Sequence, residues 1–171
     1  DLAKKNNVCA VVDAGVAPGI PNFLLGYWDS KMKVDSFDYL VGGLPKNPLP
    51  PYNYKAPFSP IDVIEEYTRP ARMMINSKIV TKPALSEIEE LDIIDAGKLE
   101  AFNTDGLRSL LITMDHIPNM KEKTLRYPGH AALMQSMIDK NLFDENNFKN
   151  TVQKLFNDWK LNDNESEFTV L

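Results

Sequence analysis

The sequence is poor in the residues that usually announce chemistry: in 171 residues it has one cysteine, Cys9, and two histidines, His116 and His130. A lone thiol excludes an intramolecular disulfide framework and fits a reducing compartment. So few soft ligands argue against a zinc site, and no metal is expected. No run approaches the roughly 20 apolar residues of a membrane-spanning helix, and no charged-then-apolar N-terminus suggests a signal peptide. Basic charge is also short, with 19 Lys+Arg against 24 Asp+Glu and a net charge of −5, the wrong sign for a nucleic-acid partner. The eight glycines form neither G-x-G-x-x-G nor a P-loop, and there is no G-x-S-x-G or H-E-x-x-H. What is present, 43% hydrophobic and 25% charged residues, is the composition of one packed globular domain, expected to be soluble and cytoplasmic.

Val8 to Val12 is a short apolar run stopped by Asp13-Ala14-Gly15, which reads as a buried strand leading into a loop, with Cys9 a neutral core thiol. Pro21 suits a first helical turn, and Phe23, Leu24, Trp28 and Met32 recur at helical spacing, predicting a helix over 20–33. Val34 to Val41 reads as a strand ended by Gly42-Gly43. Six of the twelve prolines then crowd into Pro45 to Pro60, which forbids regular ladders. The interleaved Tyr52, Tyr54 and Phe58 make this an ordered loop lining something rather than a free linker.

Ser59-Pro60 with Asp62 starts a helix that Arg69-Pro70 ends. Ala71–Ile75 and Lys78–Val80 flank Asn76-Ser77 as a hairpin, and Ile88–Ile94 and Leu99–Phe102 add strands. Thr104 is placed to cap a helix carrying Leu107, Leu110, Leu111 and Met114. Thr124–Tyr127 is strand-like, and Pro128-Gly129-His130 turns into a helix striped by Leu133, Met134, Met137 and Ile138. Asp144 caps a last helix, and Phe168 to Leu171 looks like a strand beginning. About five strands alternating with about five helices predict an α/β, α+β-like domain, a mixed β-sheet covered by helices.

Candidate chemistry gathers at element ends. Of the four arginines, Arg69, Arg108 and Arg126 sit there, where a guanidinium can bind a carboxylate bidentately or simply form a surface ion pair. His130, at a helix N-terminus, is either a ligand-facing imidazole of lowered pKa or a satisfied core histidine.

Four strings stand in order: Val12-Asp13-Ala14-Gly15-Val16-Ala17-Pro18-Gly19, Gly42-Gly43-Leu44-Pro45, Glu66-Tyr67-Thr68-Arg69-Pro70-Ala71 and Thr124-Leu125-Arg126-Tyr127-Pro128-Gly129-His130. Together with Glu100 to Arg108 they resemble the saccharopine dehydrogenase family, most closely its lysine 6-dehydrogenase-like branch, over nearly the whole chain. The resemblance implies a substrate-binding and dimerisation domain spanning 1–171, truncated at both ends, with 1–19 the last strand and loop of an upstream Rossmann domain. It implies a homodimeric oxidoreductase that moves a hydride between NAD or NADP, bound mainly upstream, and a C–N bond of a lysine-like amino acid or saccharopine; the isolated piece would be inactive. In that frame His130 and Tyr67 are candidates for handling a proton, and Arg126, Arg69, Thr104 and Gly43 for substrate contact, with Arg126 foremost for a carboxylate. Asp13, Gly15 and Pro18 would lie towards the cofactor. A carboxynorspermidine dehydrogenase-like enzyme, or a module kept only for oligomerisation or binding, remain as alternatives. The number of arginines lining the cleft distinguishes lysine (one) from the larger acid saccharopine (two or more).

Overall fold

The computed structural model describes residues 2–56 and 59–171, so Phe58 lies outside the described residues. After a one-turn α1 (Leu2–Lys5), the chain runs α2 (Ile20–Asp29), β1 (Ser36–Pro45), α3 (Pro60–Thr68), β2 (Ala71–Ile75), β3 (Lys78–Lys82), β4 (Glu89–Ile93) and β5 (Gly97–Asn103). It continues through a short α4 (Leu110–Thr113), β6 (Asn119–Arg126), α5 (His130–Asp139), α6 (Glu145–Asp158) and β7 (Glu167–Val170).

The seven strands form one mixed sheet centred on β6. β1 runs parallel to β6, with Tyr39 opposite Glu122 and Val41 opposite Thr124. β5 is antiparallel to β6 over Lys123–Arg126, and β2 meets it at Met120. β3 extends the sheet beyond β2, β4 beyond β5, and β7 beyond the far end of β1. Helices cover this sheet and build two of its three apolar clusters. α3, α5 and α6 pack Ile64, Met134 and Leu155, with Trp159 just past the end of α6, around the buried Tyr52 and Tyr54 of the proline-rich loop. Leu25 of α2 joins Leu110 and Leu111 against Met73, Met74 and Met120 of the strands.

Most predicted elements form for the reasons given, including the hairpin, where Asn76 and Ser77 both take positive φ (49° and 61°) as a tight two-residue turn demands. Five local readings are corrected. Asp144 precedes α6, but its side chain makes no capping bond. Val8–Val12 is not a strand: Val8, Val11 and Val12 are 60%, 72% and 73% exposed, because an apolar run becomes a strand only where a sheet offers it a partner. Cys9 on that run is accordingly exposed, not a core thiol. Gly42-Gly43 does not end β1, which continues to Pro45 because β7 pairs with Gly42 to Pro45. Thr104 caps no helix; its hydroxyl is taken by Glu122 and Thr124, Arg108 adopts φ 49°, and only the single turn of α4 follows.

Candidate functional site: an arginine-lined cleft

β1 and β6 lie side by side and parallel, and the carboxyl-terminal half of this pair opens into a cleft of about 310 Å³. Its floor is Val41-Gly42-Gly43, its walls include Tyr54, Glu66 and Glu167, and Thr124 and Arg126 enter from β6. Gly42 is required here, since a Cβ would stand 2.6 Å from the Leu125 carbonyl oxygen, whereas a Cβ on Gly43 would meet nothing within 4 Å. A smaller recess of about 70 Å³ adjoins it, sharing Ala17, Val41, Glu66 and Thr124 and adding Arg69, Arg108 and Glu122 among others. A roomier groove of about 440 Å³ borders Pro70, Pro83 and Gln135, but among the described residues Lys82 is the sole charged group lining it. Buried charge, not volume, makes the β1–β6 cleft the site.

Arg126 is 4% exposed, and three of its five N–H directions are assigned. Its Nε donates to the Tyr67 hydroxyl at 2.9 Å, one terminal nitrogen donates to the Leu125 carbonyl at 2.9 Å, and the other lies 3.5 Å from Glu66. Its guanidinium carbon also sits 4.4 Å from the centre of the Tyr54 ring. Behind it runs a chain of single hydrogen bonds. The Tyr67 hydroxyl donates to His130 Nε2 at 2.9 Å, and His130 Nδ1 donates to the Tyr52 carbonyl at 2.8 Å, an assignment that satisfies every group with a neutral imidazole. Burial, with the Arg126 charge, pushes His130 down to about 3, and burial drives the Tyr67 hydroxyl far above its ordinary range. Neither lines the cleft. The pair orients Arg126 and holds its proton pattern fixed.

His130 stands where it does because α5 is capped from a distance. Glu100 of β5 accepts hydrogen bonds from the backbone N–H of Gly129 (2.9 Å) and Ala131 (2.5 Å), and Gly129 takes φ 91° to turn the chain. No local pattern could reveal a cap supplied from some thirty residues upstream in chain order.

Arg69 lines the smaller recess, 3.4 Å from both Glu65 and Asp105. Asp105 is gripped by Arg72, which donates from its backbone N–H at 3.1 Å and from two side-chain nitrogens at 2.9 and 2.8 Å. Burial raises the Asp105 carboxyl, but these bonds outweigh it and hold the group below its usual range. Arg108 is exposed at the rim and makes no ion pair among the described residues. Thr104, in the same recess, bonds Glu122 and Thr124 at 2.7 Å each. Of the residues placed towards the cofactor, only Pro18 lines this space. Asp13 accepts a hydrogen bond from Ser109 N–H at 3.0 Å, and Gly15 N–H donates to the Pro18 carbonyl at 2.9 Å, closing a tight turn. Sequence reading missed Glu66, Glu122 and Arg72; Glu122 was findable as the residue two and four positions before Thr124 and Arg126 on one strand face.

Among the described residues no group of three or more His, Cys, Asp or Glu could hold a metal ion, and no helix is long and apolar enough to cross a membrane. Residues 15–171 match the model of the saccharopine dehydrogenase C-terminal domain. A curated relative, the mitochondrial alpha-aminoadipic semialdehyde synthase of Bos taurus, is 24% identical over 157 residues, covering 82% of this chain and 17% of that protein. A solved structure, apo histidine-tagged saccharopine dehydrogenase (L-Glu forming) from Saccharomyces cerevisiae, superimposes with a TM-score of 0.56 at 23% identity, covering 75% of this chain and 32% of that one. The mixed sheet and its helices are thus shared with that fold, and the chain belongs to the saccharopine dehydrogenase C-terminal domain family.

Proposed function

We propose that this chain is the substrate-recognition domain of an NAD(P)-dependent oxidoreductase acting at the C–N bond of a lysine-derived amino acid that carries several carboxylates, as saccharopine does. The observation that carries the reading is the buried, oriented Arg126 facing a glycine floor, with Arg69 and Arg108 in the adjoining recess. Three guanidinium groups suit a polycarboxylate better than lysine, whose single carboxylate needs one fork. A cytoplasmic homodimer belongs to the same reading.

The residues of this chain do not build a dinucleotide cradle. There is no glycine-rich phosphate loop, one oxygen of the Asp13 carboxylate accepts from Ser109 N–H, and Gly15 is folded against Pro18. Under this reading the cofactor is held by other parts of the protein, and this domain contributes binding and orientation. Arg126 fixes a carboxylate, with Tyr67 and His130 locking the guanidinium plane from behind. The backbone floor at Gly42-Gly43 lets the substrate lie close to the sheet.

The test is absorbance at the reduced-nicotinamide band with the full-length protein, offering saccharopine, lysine and carboxynorspermidine with NAD and then NADP. Reduction with saccharopine at the highest kcat/KM is expected. Preference for lysine would reassign Arg69 and Arg108 to structural ion pairing, and silence with all three from a folded, dinucleotide-binding protein would overturn the enzyme reading.

A further inference from the structure

β6 carries a second end to the cleft. Glu122, Thr124 and Arg126 occupy alternate positions of one strand and all line the joined space. At about 3.3 Å per residue the two terminal positions are roughly 13 Å apart along the backbone. One end is cationic and the other is a carboxyl only 3% exposed.

Glu122 is built into place. Its Oε2 accepts from the Thr104 hydroxyl at 2.7 Å and from Gly106 N–H at 3.0 Å, while Oε1 meets only the Thr124 hydroxyl, at 3.5 Å. A Cβ at position 106 would come within 2.5 Å of the Glu122 carboxyl carbon, so the loop is shaped around this group. Yet no Lys, Arg or His lies within ion-pair distance of it among the described residues, although Arg69, Arg72, Lys123 and Arg126 nearby are all matched to other acids. A carboxyl buried without a cation is costly, and a cationic nitrogen entering the recess would remove that cost.

The geometry points to Glu122 as the group that receives the nitrogen of the substrate and exchanges its proton, while Arg126 holds a carboxylate further along the same strand. This rests on the substrate class proposed above. The step is a simple proton transfer. A protonated secondary amine hydrogen-bonded to the Glu122 carboxylate passes one proton to an oxygen of that carboxylate, leaving a neutral amine with a free lone pair and a neutral carboxylic acid. No electrons change hands. The charged and titratable neighbours are Glu66 from α3, Tyr39 from β1, Arg69 and Asp105 flanking the recess and Arg108 at its rim, with the Asp13 charge acting on Tyr39. Burial, assisted by Glu66 and partly offset by the Thr104 bond, raises Glu122 to about 7, so both protonation forms are populated near neutrality.

The experiment is calorimetric titration of the full-length protein at pH 7 in two buffers of different ionisation heat, with reduced dinucleotide present to prevent turnover. The ligands are L-saccharopine and its isostere bearing CH₂ in place of the bridging nitrogen. Wild-type protein should release protons on binding saccharopine, since a bound ammonium drives a carboxyl of raised pKa to ionise. Glu122→Gln keeps an acceptor for Thr104 and Gly106. It should release none, bind saccharopine at least 10-fold more weakly, and bind the isostere as wild type does. Equal proton release in the variant, equal weakening for both ligands, or no proton release by wild type that binds saccharopine would overturn the role of Glu122 alone. Wild-type protein that binds neither ligand would overturn the substrate class and this assignment together.

Discussion

The two ends of the chain's order treat their side chains in opposite ways. Around Arg126 the polar groups are linked in series, each to the next: guanidinium to Tyr67, Tyr67 to His130, His130 to the Tyr52 carbonyl. Along residues 8–32 apolar side chains are left on the surface, with Phe23, Leu24, Tyr27 and Trp28 of α2 each more than half exposed. The difference lies in what surrounds them. A side chain acquires a fixed direction when packing and hydrogen bonds from several distant elements converge on it, whereas an apolar pattern with no facing element leaves its residues unplaced.

The sharpest way to break that contrast is at Arg126 itself. Arg126→Lys replaces a planar fork by a point charge and gives up the bond to Tyr67, so KM for the carboxylate substrate should rise about 10–100-fold, with stability lowered by about 1–3 kcal/mol. An unchanged KM would remove Arg126 from the site. Next in size is Tyr67→Phe, which leaves the Arg126 Nε–H and His130 Nε2 without their shared partner. Stability should fall by about 1–3 kcal/mol, seen as a thermal midpoint lowered by several degrees. A midpoint equal to wild type would show that water replaces the hydroxyl and that the chain is not dry.

The pH dependence of unfolding separates two buried groups of opposite sense. His130 takes up its proton at about 3 when folded against 6.5 unfolded, so its contribution is whole above 6.5 and is lost as pH falls towards 3. Glu122 is raised to about 7 from 4.5, so the unfolded state gives up its proton first and stability declines as pH rises from 4.5 to 7. Glu122→Gln deletes only the second slope. Its urea midpoint, relative to wild type, should therefore climb across pH 4.5–7, and parallel curves would show Glu122 titrating as an ordinary carboxylate. The smallest effect belongs to the other region: Trp28→Ser on the exposed face of α2 should move stability by less than about 0.5 kcal/mol by the same measurement. A larger loss would mean that α2 is held by contacts its exposure conceals.

Much of the architecture was legible because its signals are local. Asn76-Ser77 marks a turn, Ser59-Pro60 a helix start, and the Leu133-to-Ile138 stripe an apolar helix face, each within a few residues. Misreadings occurred where a distant partner decides. Val8–Val12 has a strand's composition but no neighbour, and Thr104 has a cap's chemistry but gives its hydroxyl to Glu122 and Thr124 on β6. In the site, Arg126 was visible by its type and position. The work of His130 and Tyr67 was not, because an imidazole in contact with a tyrosine hydroxyl and a backbone carbonyl, contributed by residues 63 and 78 positions away, leaves no trace in spacing. The burial of Glu122 left no local signal because it is decided by Thr104 and Gly106, which reach it from another segment.

The cleft floor is bare main chain, and its two glycines are not equivalent. Position 42 admits no side chain, whereas position 43 faces 4 Å or more of open space above a strand pinned on both edges by β6 and β7. The depth of the binding space is therefore adjustable at a single residue without disturbing the sheet. Alanine, serine or valine at position 43 would act as a graded spacer, shortening the longest ligand the cleft accepts while leaving the guanidinium and the carboxyl on β6 where they are.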